Sequence, residues 1–387
     1  MNELPIYFDY MATTPIDPRV IEVMLQYMGP ASNFGNPASA THVYGTTAAL
    51  AVERARSQVA EAVGATVDDI VFTSGATEAI NLAILGAARF YQRKGRHIVT
   101  MLTEHKAVLD SFRKLEQEGF QVTYLAPQHD GTLNLSSLED ALREDTILVS
   151  IMHVNNEIGV IQDIAAIGAL LRDKGIVFHV DCAQGAGKLA INLRELPVHL
   201  MSFSAHKNYG PKGVGALYVR HQPRIRLQQQ SFGGGHESGL RAGTLPTHQI
   251  VGMGAAFELS EAGRVEEQAR LLRLRQKLWE GIRHLPGICL NGSAEQRIAG
   301  NLNFSFSGID GGALLPALSE LAVSTTSACS SASLQPSYVL CALGLSKELA
   351  QSAVRLSLGR FTTDEQVEQA IAIICRQIEK LRATTAS

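Results

Sequence analysis

The stretch "IVFHVDCAQGAGKLAINLRELPVHLMSFSAHKNYGPKGVGALYVR", residues 176–220, decides the fold class. It holds three short apolar runs, "IVFHVD", "LMSFSA" and "GALYVR". Each is of strand length and rich in β-branched and aromatic residues. The polar residues gather just past the runs. Asp181 closes the first, with Gln184 three positions on. Ser204, His206 and Lys207 follow the second. Gly210, Gly213 and Gly215 lead into the third. They are no dinucleotide-binding fingerprint, because a strand and not a helix follows them.

The same rhythm extends upstream to about residue 65. "DDIVFTSG", "HIVTML", "QVTYLA" and "TILVSIM" read as strands. Between them, "TEAINLAILGAARFYQRKG", "KAVLDSFRKLEQEG", "SLEDALRE" and "DIAAIGALLRDKG" read as helices, three of them closed by Gly95, Gly119 and Gly175. Such alternation predicts an α/β protein with a mostly parallel sheet covered on both faces. After about residue 260 the composition shifts. "EEQARLLRLRQKLWEGIRHL" predicts a long charged helix, followed by short strands such as "NLNFSF" and two more helices. The last of these opens at "TTDEQ", an N-cap followed by acidic first-turn residues. The expected division is a large domain over 14–260 and a smaller α+β domain built from 1–13 with 261–387. No internal repeat or low-complexity tract stands out.

Of 387 residues, 45% are hydrophobic and 18% charged, with a formal net charge of −3. That balance fits an ordinary globular chain. It offers no electrostatic case for direct nucleic-acid binding or a membrane surface. No apolar stretch reaches the roughly 18 residues of a membrane span, and the start lacks the pattern of a signal peptide. A cytoplasmic protein is expected. Five cysteines, with no C-x-x-C pair, suit neither a disulfide framework nor a zinc site. Cys289 and Cys375 read as packing. Cys329 differs, because "STTSACSSAS" (324–333) gives it no large apolar neighbour within four residues.

In open parallel sheets, ligands bind beyond the carboxyl ends of the strands. Ser74–Thr77 lie between a strand and a helix, where free N–H groups suit a phosphate. An ordinary tight turn would use the same residues. Asp181 also suits a turn or N-cap, and His105 a structural hydrogen bond. Together the strand ends meet one demand. Pyridoxal phosphate needs a lysine for its Schiff base, an acid beside its pyridine nitrogen, and phosphate donors at a helix start. Lys207, Asp181 and Ser74–Thr77 supply these, and His105 offers a ring to stack on the cofactor.

At these residues the chain resembles the cysteine desulfurases, class V enzymes of the aminotransferase kind. "YFDYMATTP", "SGATEAIN", "TEHKAV", "HVNNEIGV", "HVDCAQ", "SAHKNYGPKGVG", "GGGHESGLRAGTLP", "SACSSASLQPSYVL" and "SLGRFTTDEQ" match in order over nearly the whole chain. The set is similar to the group I, housekeeping iron–sulfur assembly desulfurases. The resemblance implies fold-type I, with a seven-stranded-type sheet between helices. It implies Lys207 as the Schiff-base lysine and proton shuttle, and Asp181 on the pyridinium nitrogen. Gln184 would bond the phenolic oxygen, and His105 would stack and act as an acid or base. Ala76, Thr77, Ser204 and His206 would hold the phosphate, with Thr244 reaching that of the other subunit in a homodimer. Asn156, which also belongs to the cofactor set, Arg355 and Asn36 would line the place of the L-cysteine substrate. An arginine fork suits its carboxylate.

The implied reaction converts L-cysteine to L-alanine and leaves a persulfide on Cys329, on a loop that docks and swings out. Sulfur would pass to an acceptor protein, such as an iron–sulfur scaffold or a tRNA-thiolation enzyme. No resident metal is implied; Cys329 could ligate a cluster transiently with a partner. The chain stops at "EKLRATTAS", short of the tail with which housekeeping relatives dock their scaffold. That leaves delivery to DNA phosphorothioation open. Two other readings compete. A selenocysteine lyase or transaminase would share Lys207 and Asp181, and a transaminase would not need Cys329. A non-catalytic sulfur carrier or scaffold-binding module would be colourless.

Overall fold

The structure is a computed structural model and describes residues 4–324 and 336–385. Its centre is a seven-stranded sheet. The strands are β2 (Ile70–Thr73), β3 (His97–Met101), β4 (Gln121–Leu125), β5 (Thr146–Ser150), β6 (Val177–Asp181), β7 (Leu200–Ser204) and β8 (Gly215–Val219). Their spatial order is β2-β8-β7-β6-β5-β3-β4. Strands β7, β6, β5, β3 and β4 run parallel, and β8 is antiparallel to both β7 and β2.

Successive residues of a strand face opposite sides of a sheet, and the core shows it. Val99, Val149, Phe178, Met201 and Ala216 belong to one buried cluster. Their neighbours Ile98, Leu148, Val177, Leu200 and Leu217 belong to another. The first face is covered by α2 (Val43–Ala62), α5 (Leu135–Ala141), α6 (Ile164–Leu171) and the start of α7 (Thr247–Ile282), against which α1 (Pro18–Leu25) packs. The second is covered by α3 (Ala76–Tyr91) and α4 (Lys106–Gln117). Burial on both faces is why these strands read as continuous apolar runs.

A second cluster of sheets stands beside this one. Strands β9 (Ile288–Leu290), β10 (Asn301–Phe306) and β12 (Ala353–Ser357) form an antiparallel sheet in the order β12-β10-β9. Strand β1 (Ile6–Tyr7) pairs in parallel with β11 (Leu321–Ala322). Their core includes Phe8, Phe304 and Leu356, with Leu274 and Leu278 from α7 and Val367, Ile374 and Ile378 from α11 (Asp364–Thr385). The expected division at 260/261 falls inside α7, one 36-residue helix serving both cores.

Several bounds differ from the expectation. The long helix begins at Thr247, before its charged part, because its first turns are buried against the large sheet. Residues 43–62 form a helix that the sequence reading left without an element. After α7, four helices occur among the described residues where two were expected: α8 (Gly311–Ala317), α9 (Tyr338–Ala342), α10 (Lys347–Gln351) and α11. Helix α6 stops at Leu171, four residues before Gly175. No helix among the described residues is long and apolar enough to cross a membrane.

Candidate active site

The strand ends of the large sheet open into a cavity of about 720 Å³, within the range of small-molecule sites. Ten of the expected site residues line it: Ala76, Thr77, His105, Asn156, Asp181, Gln184, Ser204, His206, Lys207 and Arg355. Asn36 and Thr244 are exposed and do not line it. Asn36 instead accepts a hydrogen bond from the Ala38 N–H at 2.9 Å. Cys329 lies outside the described residues.

The turn from β2 into α3 is built for an anion. Gly75 holds the N-cap position with a φ of 149°, and no side chain caps the helix. Its first N–H groups therefore face the cavity unsatisfied by a cap, at the positive end of the helix dipole. The turn lies close against the start of β8. A Cβ on Gly215 would come within 2.7 Å of the Gly75 Cα, so only glycine allows the approach. Ser204 and His206 flank the same place. The His206 ring contacts the Thr13 hydroxyl at 3.1 Å. Burial, then the Lys207, Lys212 and Lys188 ammonium groups, push it down to about 4.

Asp181 ends β6 and is only 5% exposed. One carboxylate oxygen accepts from the Ala183 N–H at 2.9 Å. Burial raises its pKa, against the pull of His105, the Ala183 N–H and Lys207. A buried carboxylate in this state favours a cationic N–H partner. Lys207 sits in the short turn after β7 and donates to the Met11 and Ala12 carbonyls at 2.7 and 2.6 Å. His105 is the N-cap of α4, its Nδ1 accepting from the Ala107 N–H at 3.1 Å. That bond fixes the ring at the cavity wall.

The opposite wall belongs to β12 and the N-terminal segment. The Arg355 Nη2 pairs with Asp9 Oδ1 at 2.8 Å, and its Nη1 donates to the Asn156 carbonyl at 2.7 Å. Two buried atoms here have no hydrogen-bond partner among the described residues: Arg355 Nε and Asn156 Oδ1. Most buried polar groups in proteins are satisfied, so these two, at the cavity, invite a polar ligand. An uncapped helix start, an amine, a buried carboxylate and two orphaned polar atoms around one cavity fit pyridoxal phosphate with an amino acid.

The family follows from comparison with known proteins. The aminotransferase class-V family model matches residues 6–370. This chain belongs to that family. Its members use pyridoxal phosphate. A cysteine desulfurase IscS of Shewanella denitrificans is 59% identical over 380 residues, covering 98% of this chain and 94% of the relative. A solved NifS-like protein superposes with a TM-score of 0.90 at 37% identity, over 98% of this chain and 100% of its own. The solved structure of SspA in complex with cysteine superposes at 0.82 and 38% identity, over 92% and 100%. The fold class expected from the class-V resemblance is borne out.

The structure adds residues that the sequence reading did not single out. Asp9 braces Arg355 and also accepts from the Ser324 hydroxyl at 2.8 Å. Glu104 is fully buried, with Oε1 on the Met152 N–H at 2.7 Å and Oε2 without a partner among the described residues. Burial pushes its carboxyl well above the usual range. Glu157 accepts from Ser337. Lys188 donates to Gln184. Each lies inside or beside a motif quoted above, but nothing in the spacing separates it from its neighbours. Cys182, next to Asp181, is fully buried and its thiol is pushed up by burial.

Proposed function

We propose that this chain is a pyridoxal-phosphate-dependent cysteine desulfurase that converts L-cysteine to L-alanine and passes the sulfur, through a persulfide on Cys329, to an acceptor protein. The observation that carries the reading is the meeting of Lys207, Asp181, His105 and the uncapped start of α3 at one cavity, faced by Arg355. When bound, pyridoxal phosphate supplies an electron sink conjugated to the α-carbon of an amino acid.

The chain's own residues do the rest. The N–H groups of Ala76 and Thr77, with Ser204 and His206, hold the phosphate. Asp181 would pair with the cofactor's ring nitrogen, whose proton would offset the cost of the buried carboxylate charge. Gln184 donates to the phenolic oxygen. His105, at the cavity wall, would lie against the ring and exchange a proton with the reacting thiol. Lys207 would hold the cofactor through its amine and would move the proton at the α-carbon of cysteine. Arg355, held at two of its nitrogens, presents its orphaned Nε to the substrate carboxylate, beside Asn156.

The sulfur step belongs to Cys329. Its thiolate attacks the substrate sulfur, the carbon–sulfur bond breaks, and a sulfur–sulfur bond forms. The electron pair of the broken bond stays with carbon, which takes up a proton to become alanine. A thiolate is required, because a thiol of ordinary pKa (about 8.5) is mostly protonated at neutral pH. In this reading the chain divides into a sheet domain over 14–260 and a smaller domain of 1–13 with 261–387. It acts in the cytoplasm as a homodimer, in which Asn36 would belong to the substrate place and Thr244 would reach the partner's phosphate; neither lines the cavity within this chain. Its acceptors are an iron–sulfur scaffold or a tRNA-thiolation enzyme.

Mass spectrometry of the yellow protein after addition of L-cysteine tests this. A gain of one sulfur on Cys329, and its loss in Cys329→Ala with the colour retained, is the expected result. Normal alanine production by Cys329→Ala would sink the desulfurase reading. A colourless protein would sink the cofactor reading.

A further inference from the structure

Gln184 has two faces, and the structure shows what sits on each. Its Nε2 donates to the Met11 carbonyl at 2.8 Å, beside the Lys207 Nζ that donates to the same oxygen at 2.7 Å. Its Oε1 accepts from the Lys188 Nζ at 2.8 Å. Gln184 is 4% exposed, so no bulk water competes for either face. An amide can be flipped end for end with little change of shape. Here the Lys188 amine, donating to Oε1 from behind, is the partner that opposes a flip. The Met11 carbonyl, however, is a shared partner at the cavity wall. Only Lys188 holds the amide from the far side.

Lys188 lies seven residues after the end of β6, in the turns that follow Asp181. Its amine reaches back into the protein, where burial and then the Lys207 ammonium push it down to about 7. The other titratable groups acting on it are Cys182 and Glu267. A lysine that was only a surface charge would keep its amine in water.

Resting on the cofactor reading above, we propose that Lys188 is a positioning residue that locks the Gln184 amide with its NH₂ group toward the phenolic oxygen of the cofactor. A donor at that oxygen stabilises its negative charge. It thereby favours loss of the proton shared with the Lys207 Schiff base and lowers the pH at which that proton leaves. Without Lys188 the amide can turn its oxygen inward, and the donor is replaced by a second acceptor.

The test is an absorbance titration of the holoenzyme against pH, read at the visible band of the Schiff base. Lys188→Met is expected to raise the titration midpoint by roughly 0.5–1 unit, the worth of one hydrogen bond. Lys188→Arg, which keeps a donor, is expected to hold the midpoint near that of the unmodified enzyme. In a Gln184→Ala background, Lys188→Met should add no further shift. An equal shift in both backgrounds would mean that Lys188 acts by its charge and not through the amide, and would overturn the proposal. So would an unchanged midpoint in Lys188→Met. A wild-type protein with no visible band would instead overturn the cofactor reading, which keeps the two failures apart.

Discussion

The two walls of the cavity are assembled by different means. One wall is a row of turns, each following a strand of the large sheet. Ser74–Thr77 follow β2, His105 follows β3, Asp181 ends β6, and Ser204 ends β7 with His206 and Lys207 just after it. The other wall is gathered from remote parts of the chain. Arg355 comes from β12, Asp9 and Met11 from just after β1, and Ser337 and Tyr338 from the start of α9. The first wall carries chemistry on a rigid frame. The second also ties the N-terminal segment to β12. Nearby, Arg360 ties the same segment to α7. It pairs with Asp17 and Glu267 at 2.7 Å each, bonds Ser260, and stacks over Tyr209, two residues after Lys207. Changes in the first wall should therefore cost rate, and changes in the second should cost stability as well.

That contrast can be broken in order of expected size. Lys207→Ala should abolish both turnover and the visible band while leaving the melting temperature of the apo protein unchanged. Asp181→Asn should lower kcat by about 10²–10³-fold, the scale for losing one preorganised electrostatic partner. It should not lower stability, because burial already disfavours the carboxylate's charge. A large loss of stability in urea would blur the distinction between the walls. Arg355→Ala removes one member of a mostly buried pair with Asp9, whose side chains are 5% and 18% exposed. It should raise KM for cysteine and cost on the order of 3 kcal/mol in urea unfolding. A pure KM effect would show that Asp9 does not depend on its partner.

A further effect is on pH dependence, and it lies in the sheet itself. His179 is fully buried between the Ser150 and Ser202 hydroxyls, at 2.8 and 2.9 Å. Burial holds its pKa down at about 3. The unfolded chain takes up that proton near pH 6.5, so the unfolded state binds more protons below that pH. The stability contributed by neutral His179 is complete above pH 6.5 and is lost as pH falls toward 3. Between these values the wild type should lose up to about 1.4 kcal/mol per pH unit more than His179→Gln. Equal slopes for the two proteins would mean that His179 does not stay neutral in the fold.

Legibility followed the same division as the walls. The strand ends were readable because a buried strand is an apolar run and its chemistry follows at the next turn. The same reading missed residues 43–62. Their buried face is made of small residues, Ala48, Ala51, Val52 and Ala55, which mark a helix only once α7 is seen against it. It started α7 too late, because its first turns are buried on the large sheet and lack the charged pattern of the rest. Asp9 and Lys188 stood in or beside motifs already quoted, but a side chain's partner is not written at a fixed distance along the chain. Asn36 and Thr244 do not line the cavity within this chain.

By itself the sequence determined the alternation of strands and helices, the place of Lys207, Asp181 and His105 at strand ends, and the family. Those features are local, or periodic with the strand and helix repeats, and a linear text records both. The tertiary structure alone decided that Arg355 is braced by Asp9, that one helix serves both cores, and that Lys188 holds Gln184 from behind. These depend on segments brought together by burial of apolar surface, up to 346 residues apart for Asp9 and Arg355. Such burial is non-directional and leaves no mark at either position along the chain.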